Sequence, residues 1–135
     1  MNLGLLNKTA LISGSSRGIG RAIAESFLCE GARVVVSGRT QRELDRFVKE
    51  HAADRGRIRT FCGDLTKDAD IKKCVASVTA SFGSIDCLVP NIGRGAVRFG
   101  HDVGANDWDE TFDMNLWGAV RLVQTVLPVM KKNEG

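Results

Sequence analysis

Tyrosine is missing from the 135 residues, and proline and histidine occur only twice each. No phenol is therefore available here as a proton donor. His51 falls on the apolar side of a helical pattern, and neither it nor His101 stands in a cluster of metal-ligating residue types, so both read as structural or surface residues and no metal is expected. No apolar run approaches the ~18 residues that a membrane span requires, and Met1 to Ala10 lacks the basic stretch and apolar core of a secretion signal. A soluble protein of the cytoplasm or another reducing intracellular compartment is expected. The four cysteines, Cys29, Cys62, Cys74 and Cys87, are too widely spaced for a CxxC zinc pattern or a dense disulfide framework. They read as reduced, mostly buried thiols. A formal charge of +3 with no aromatics among the basic residues excludes a nucleic-acid platform.

What is present has ordinary globular proportions, 43% hydrophobic and 26% charged, and a length that suits one domain over residues 1–135. The fifteen glycines stand singly between apolar runs, as punctuation. Lys8 to Ser13, Arg33 to Ser37, Ile58 to Cys62 and Ile85 to Val89 are short apolar runs that suit buried strands. Between them lie helical patterns. Gly20 to Glu30 places Ile19, Ile23 and Phe27 on one face ahead of a Gly31 cap. Thr40 to Glu43 has capping-box spacing in front of Leu44, Phe47 and Val48. Asp68 to Phe82 carries Ile71, Cys74, Val75 and Val78. Asn91 to Gly104 reads as a loop. A last helix, capped at Asn106, should run to about Lys132 through Trp108, Phe112, Asn115, Ala119, Leu122, Val126 and Met130, with Pro128 kinking or ending it. Four strands alternating with four helices predict an α/β, Rossmann-type doubly wound parallel sheet with helices on both faces. The basic run Arg55, Arg57 and Arg59 reads as a solvated strand entrance, and Lys131 and Lys132 suit a helix C-terminus.

Ser13-Gly14-Ser15-Ser16-Arg17-Gly18-Ile19-Gly20 joins the first strand to the first helix with GxxxGxG spacing. Such a loop is either a structural turn or a bed for a pyrophosphate at a helix N-terminus, and its place between a buried strand and an amphipathic helix favours the second. Asn115 interrupts an apolar stripe, where a buried amide must be paired. It is either a helix-to-loop hydrogen bond that fixes a kink or a functional group.

The SGSSRGIG loop, Asp64 in CGDL after the third strand, PNIG after the fourth and Asn115 in MNLWG together resemble the short-chain dehydrogenases/reductases of the classical type. The likeness covers essentially all 135 residues and is closest to members such as 3-oxoacyl-acyl-carrier-protein reductases. It implies a dinucleotide site in which Gly14, Ser16, Arg17, Gly18, Ile19 and Gly20 surround the phosphates. Asp64, otherwise a turn or a cap at a helix start, would bind near the adenine, with Leu65 in apolar contact beside it. Asn91 and Gly93 match two positions of the family's NNAG segment at the nicotinamide, whereas Pro90 and Ile92 depart from it. Asn115 matches the asparagine of the catalytic Asn-Ser-Tyr-Lys set.

Folds of this kind that prefer NAD place an acid at the end of the second strand. The stretch here is Ser37-Gly38-Arg39-Thr40. It holds no acid, and Arg39 with Arg17 can pair with a 2′-phosphate. NADP(H) is therefore expected over NAD(H). The resemblance implies exchange of a hydride between cofactor and a small-molecule carbonyl or secondary alcohol. It also implies a homo-oligomer contact on the last helix, which carries Trp117, Leu122 and Val126.

The family's serine and YxxxK tyrosine and lysine have no match here. The chain is thus expected to be the amino-terminal part of the fold, incomplete at its C-terminal end, with an open edge at the fourth strand and no turnover by itself. The rival readings are a non-catalytic protein that binds nucleotide or a partner, and a truncated product without function.

Overall fold

The computed structural model describes residues 2–94 and 101–133. Strands β1 (Thr9–Ile12), β2 (Arg33–Gly38), β3 (Ile58–Cys62) and β4 (Cys87–Val89) form one sheet in the order β3-β2-β1-β4. All three pairings are parallel. The helices are α1 (Gly18–Cys29), α2 (Gln41–Glu50), α3 (Asp68–Phe82), α4 (Ala105–Phe112) and α5 (Gly118–Lys132). A short 3₁₀ turn covers Ala52–Arg57, and a π segment, Asp113–Trp117, joins α4 to α5.

Because strand side chains alternate between faces, the sheet serves two separate cores. Ala10, Ile12, Val34 and Val36 meet Ala24 and Leu28 of α1 and Leu44 and Phe47 of α2. Leu11 and Val35 meet Ile71, Cys74, Val75 and Val78 of α3 and Leu122 and Val126 of α5. The inner strands β1 and β2, covered on both sides, are buried at nearly every position, whereas the edge strand β3 admits the exposed Arg59. The α/β doubly wound expectation holds. The chain leaves β1 toward β2 on one side and reaches β4 on the other, so the sheet has a crevice between β1 and β4 at the strands' C-terminal ends.

Several local expectations change. The buried row of α1 is Gly20, Ala24 and Leu28, one position on from the expected face, and Ile19 is 75% exposed. The Thr40–Glu43 capping box does not form, because the Thr40 side chain makes no cap bond and Glu43 is engaged elsewhere. The last helix starts at Ala105 after Gly104, not at an Asn106 cap, and continues through an exposed Pro128 to Lys132. From Ala105 to Lys132 it is roughly 40 Å long at 1.5 Å per residue. Only its second half lies on the sheet, so Trp108, Phe112 and Trp117 are about half exposed while Leu122 and Val126 are fully buried. Leu122 and Val126 are thus core residues and not an outward contact surface.

Only Cys74 of the four free cysteines is buried, and desolvation pushes its thiol up to about 12. Cys29 ends α1 and Cys62 ends the edge strand β3, which exposes both. Arg57 is more than a solvated charge: its Nη1 donates to the carbonyls of Leu28 and Ala32, both at 2.9 Å. Residues 95–100 of the expected glycine-rich loop lie outside the described residues.

Candidate functional site

The β1–α1 loop is bonded to the end of β2 by buried serines. Ser15 Oγ donates to the Ile12 carbonyl (2.6 Å) and accepts the Ser37 N–H (2.9 Å). Ser37 Oγ donates to the same carbonyl (3.1 Å) and accepts the Gly14 N–H (3.2 Å). Ser13, Ser15, Ser16 and Ser37 are all buried, and a buried hydroxyl is costly to leave unpaired. The loop is also pressed against the segment after β4. Asn91 donates from Nδ2 to the Gly14 carbonyl (3.1 Å) and from its backbone to Ser13 Oγ (2.8 Å).

Two glycines have no substitute here. Gly14 has φ +57°, and a Cβ on it would lie 2.6 Å from the Asn91 carbonyl oxygen. A Cβ on Gly20 would overlap the Gly14 carbonyl oxygen. Arg17 occupies the N-cap of α1 without a side-chain cap bond, which leaves the first-turn N–H groups of the helix for an anion.

Beside this loop lie Arg39 and Thr40 at the end of β2. Arg17 and Arg39 are exposed, and their guanidiniums make no hydrogen bond or ion pair with the other described residues, although the charge of Arg39 is felt by Asp64. Ser16 Oγ donates to Glu43 Oε2 across 2.9 Å. On the next strand end, Asp64 Oδ1 accepts from the Thr66 hydroxyl (2.6 Å) and backbone N–H (3.0 Å). Burial opposes ionisation of Asp64, but the two Thr66 bonds and the positive charges of Lys67 and Arg39 outweigh it, and its pKa falls below 3.8. Asp64 therefore makes a turn and also faces the cleft as an anion, with Leu65 buried next to it.

Asn115 departs from expectation. It is exposed rather than buried, because the helix here has run past the sheet. It sits within the π segment, a local widening that is frequent at functional sites. Its Nδ2 donates to the carbonyls of Thr111 (3.0 Å) and Arg94 (3.3 Å), and its Oδ1 occupies the space where a Cβ on Gly93 would stand. The helix-to-loop bond is thus present. Arg121 ties this region to the Asp64 turn, donating from Nε to the Thr66 carbonyl and from Nη1 to Asp113 Oδ1, both at 2.9 Å.

These groups line one cleft of about 600 Å³. It brings together Gly14, Ser16, Arg17, Gly18, Ile19, Arg39, Thr40, Asp64, Leu65, Asn91, Gly93 and Asn115. Gly20 is not on its wall but lies beneath it, against Gly14. Sequence reasoning passed over Ser13, Ser37, Glu43, Thr66, Arg94 and Met114, which also line it. Ser13 and Ser37 had a signal, a hydroxyl ending an otherwise apolar strand run, but Glu43 and Met114 had none. The cradle without Cβ atoms, the uncapped helix and the two unpaired guanidiniums fit a dinucleotide with several phosphates. Among the described residues there is no cluster suited to a metal ion and no helix long and apolar enough to cross a membrane.

Comparison with known proteins places this architecture. A family model described as short chain dehydrogenase matches residues 8–135. The uncharacterized oxidoreductase YvrD of Bacillus subtilis is 40% identical over 136 residues, spanning 100% of this chain and 51% of that protein. A 3-oxoacyl-[acyl-carrier-protein] reductase of Staphylococcus epidermidis is 33% identical over 127 residues, 93% of this chain and 52% of its own. L-Sorbose reductase from Gluconobacter frateurii, solved with NADPH and L-sorbose, superposes with a TM-score of 0.89 at 33% identity, covering 98% of this chain and 51% of that one. The chain spans about half the length of the curated relatives it matches.

Proposed function

The chain belongs to the short-chain dehydrogenase family, and on that premise we propose that its cleft binds NADP(H) in preference to NAD(H), for exchange of a hydride between cofactor and a small-molecule carbonyl or secondary alcohol. One observation carries the preference: the guanidiniums of Arg17 and Arg39 stand exposed and without a hydrogen-bond partner among the described residues on the cleft wall, Arg39 at the end of β2 where an NAD-preferring fold places an acid. The NADPH in L-sorbose reductase supports it.

In this reading Gly14, Ser16, Gly18 and Ile19 form the diphosphate bed, with Gly20 beneath it permitting the close approach. Arg17, Arg39 and Thr40 hold the 2′-phosphate. Asp64 accepts from the adenine amino group, with Leu65 against the ring. Asn91 and Gly93 shape the wall at the nicotinamide. When bound, the cofactor supplies or accepts the hydride. Asn115, its Nδ2 already held by two carbonyls, keeps Oδ1 for a water in the proton path. A tyrosine is not among these residues, so they contribute cofactor binding and orientation rather than the proton itself. The protein is read as working in a reducing intracellular compartment.

A second reading, association with a partner, is favoured by the exposed apolar row of Trp108, Phe112, Leu116, Trp117, Val123 and Leu127. The same row could equally be covered by a second copy of this chain in a homo-oligomer.

Equilibrium titration with NADPH and NADH, followed by fluorescence or calorimetry, tests the function. NADPH should bind at least about tenfold tighter, a difference of about 1.4 kcal/mol. Equal affinities would remove the arginine argument, and binding of neither would remove the cofactor reading altogether.

A further inference from the structure

Glu43 is the one acidic residue of the first turn of α2, and its spacing from Thr40 suits a helix cap. It makes no such cap. Its carboxylate is instead held at 2.9 Å by the hydroxyl of Ser16, a residue that is only 8% exposed and so has little freedom to move. Gly38 makes room for this contact, since a Cβ there would lie 2.7 Å from Ser16 Oγ and 2.9 Å from Ser16 Cβ. A backbone position at the end of β2 is thus kept free of a side chain, and the space is given to the serine that holds the acid. Both partners line the cleft together with Arg17, Arg39 and Thr40.

We propose that Glu43 is a cofactor-discriminating residue: anchored by Ser16, its carboxylate sets a fixed negative charge in the 2′-phosphate end of the cleft and restrains the affinity for NADP(H) relative to NAD(H). The inference rests on the cofactor reading above. The physical ground is simple. A 2′-phosphate brings about −1.5 to −2 charges, and each carboxylate retained near it subtracts from the attraction of the two guanidiniums. A 2′-hydroxyl carries no charge for the carboxylate to repel, and as a hydrogen-bond donor it tolerates or weakly bonds the same acceptor. Arg17 and Arg39 admit the phosphate, and Glu43 keeps the bound state from becoming too tight to exchange.

The test compares Glu43→Gln and Glu43→Ala with the unaltered chain in binary titrations with NADPH and NADH. Gln retains an acceptor for Ser16 without the charge, and Ala removes both. Both variants should bind NADPH roughly tenfold more tightly at low ionic strength, the effect expected of one charge at a partly hydrated site, with NADH changed less than about twofold. The gain should shrink as salt screens it. Equal NADPH affinity in Glu43→Gln and the unaltered chain would overturn the inference, as would Glu43→Ala weakening both cofactors, which would mark Glu43 as an anchor for the loop. If the unaltered chain binds neither cofactor, the cofactor reading itself has failed, an outcome distinct from these.

Discussion

At the end of the cleft formed by β1, β2 and α1, Ser13, Ser15, Ser16 and Ser37 are buried; the hydroxyls of Ser13, Ser15 and Ser37 bond to strand carbonyls and that of Ser16 to Glu43 of α2. At the other end Asn115 stands exposed on a π segment, beside a helix whose apolar side chains Trp108, Phe112 and Trp117 are about half in solvent. The first end is preorganised: its shape is set before a ligand arrives, by groups that would be costly to leave unpaired. The second is held by exposed or half-buried groups, the Asn115 amide bridging to the Arg94 carbonyl and Arg121 reaching the Thr66 carbonyl and Asp113. A dinucleotide should therefore be gripped mainly by its phosphate and adenosine portions, with the Asn115 end adding orientation.

Substitutions can break that contrast, and the largest effect is expected at Gly14. Gly14→Ala combines a positive φ with a Cβ 2.6 Å from a backbone oxygen, and should cost about 2–4 kcal/mol of stability together with the NADPH-induced rise in melting temperature. Thermal unfolding with and without NADPH reads both losses. Ser15→Ala is next. It leaves the buried Ser37 N–H without its acceptor and the Ile12 carbonyl with the Ser37 hydroxyl as its remaining hydroxyl donor, for about 1–3 kcal/mol in urea unfolding.

Acid sharpens the comparison from another side. Hydrogen bonds from Arg21 and Arg46 hold Glu50, which links α2 to α1, at a pKa of about 2 against an ordinary 4.5. Asp64 is also lowered. A carboxyl with a depressed folded pKa contributes fully above its unfolded pKa and loses that contribution as pH falls through the folded one. Melting temperature should therefore decline between pH 4.5 and about 2, and Glu50→Gln should flatten part of that decline. The smallest effect on stability is expected at Asn115→Ala, within about 0.5 kcal/mol because the residue is exposed. A loss above about 2 kcal/mol there would mean that the second end is as firmly built as the first.

Much of this was legible in the sequence where local pattern and burial coincide. The apolar runs Lys8 to Ser13, Arg33 to Ser37, Ile58 to Cys62 and Ile85 to Val89 each contain a strand, with starts at Thr9, Arg33, Ile58 and Cys87, because strands covered on both faces are largely apolar. The glycine loop between β1 and α1 was legible because backbone geometry requires glycine at Gly14 and Gly20. The face of α1 was misplaced by one residue because Ile19, although apolar, belongs to the cleft and not to the core. Asn115 was expected to be buried because periodicity does not reveal where a long helix leaves the sheet. Glu43 was taken for a cap because spacing cannot show that Ser16, twenty-seven positions earlier, offers it a better partner. Contacts across the fold, unlike periodicity within an element, leave no trace in one sequence.

Amide hydrogen exchange with and without saturating NADPH tests the central claim most directly. Protection should rise over residues 13–20, 37–40 and 63–66, more weakly at 91–94, and should be smaller with NADH around Arg39. NADPH that left these segments unprotected, or protected only the exposed helix from Ala105 onward, would contradict a preorganised dinucleotide site at the ends of the strands.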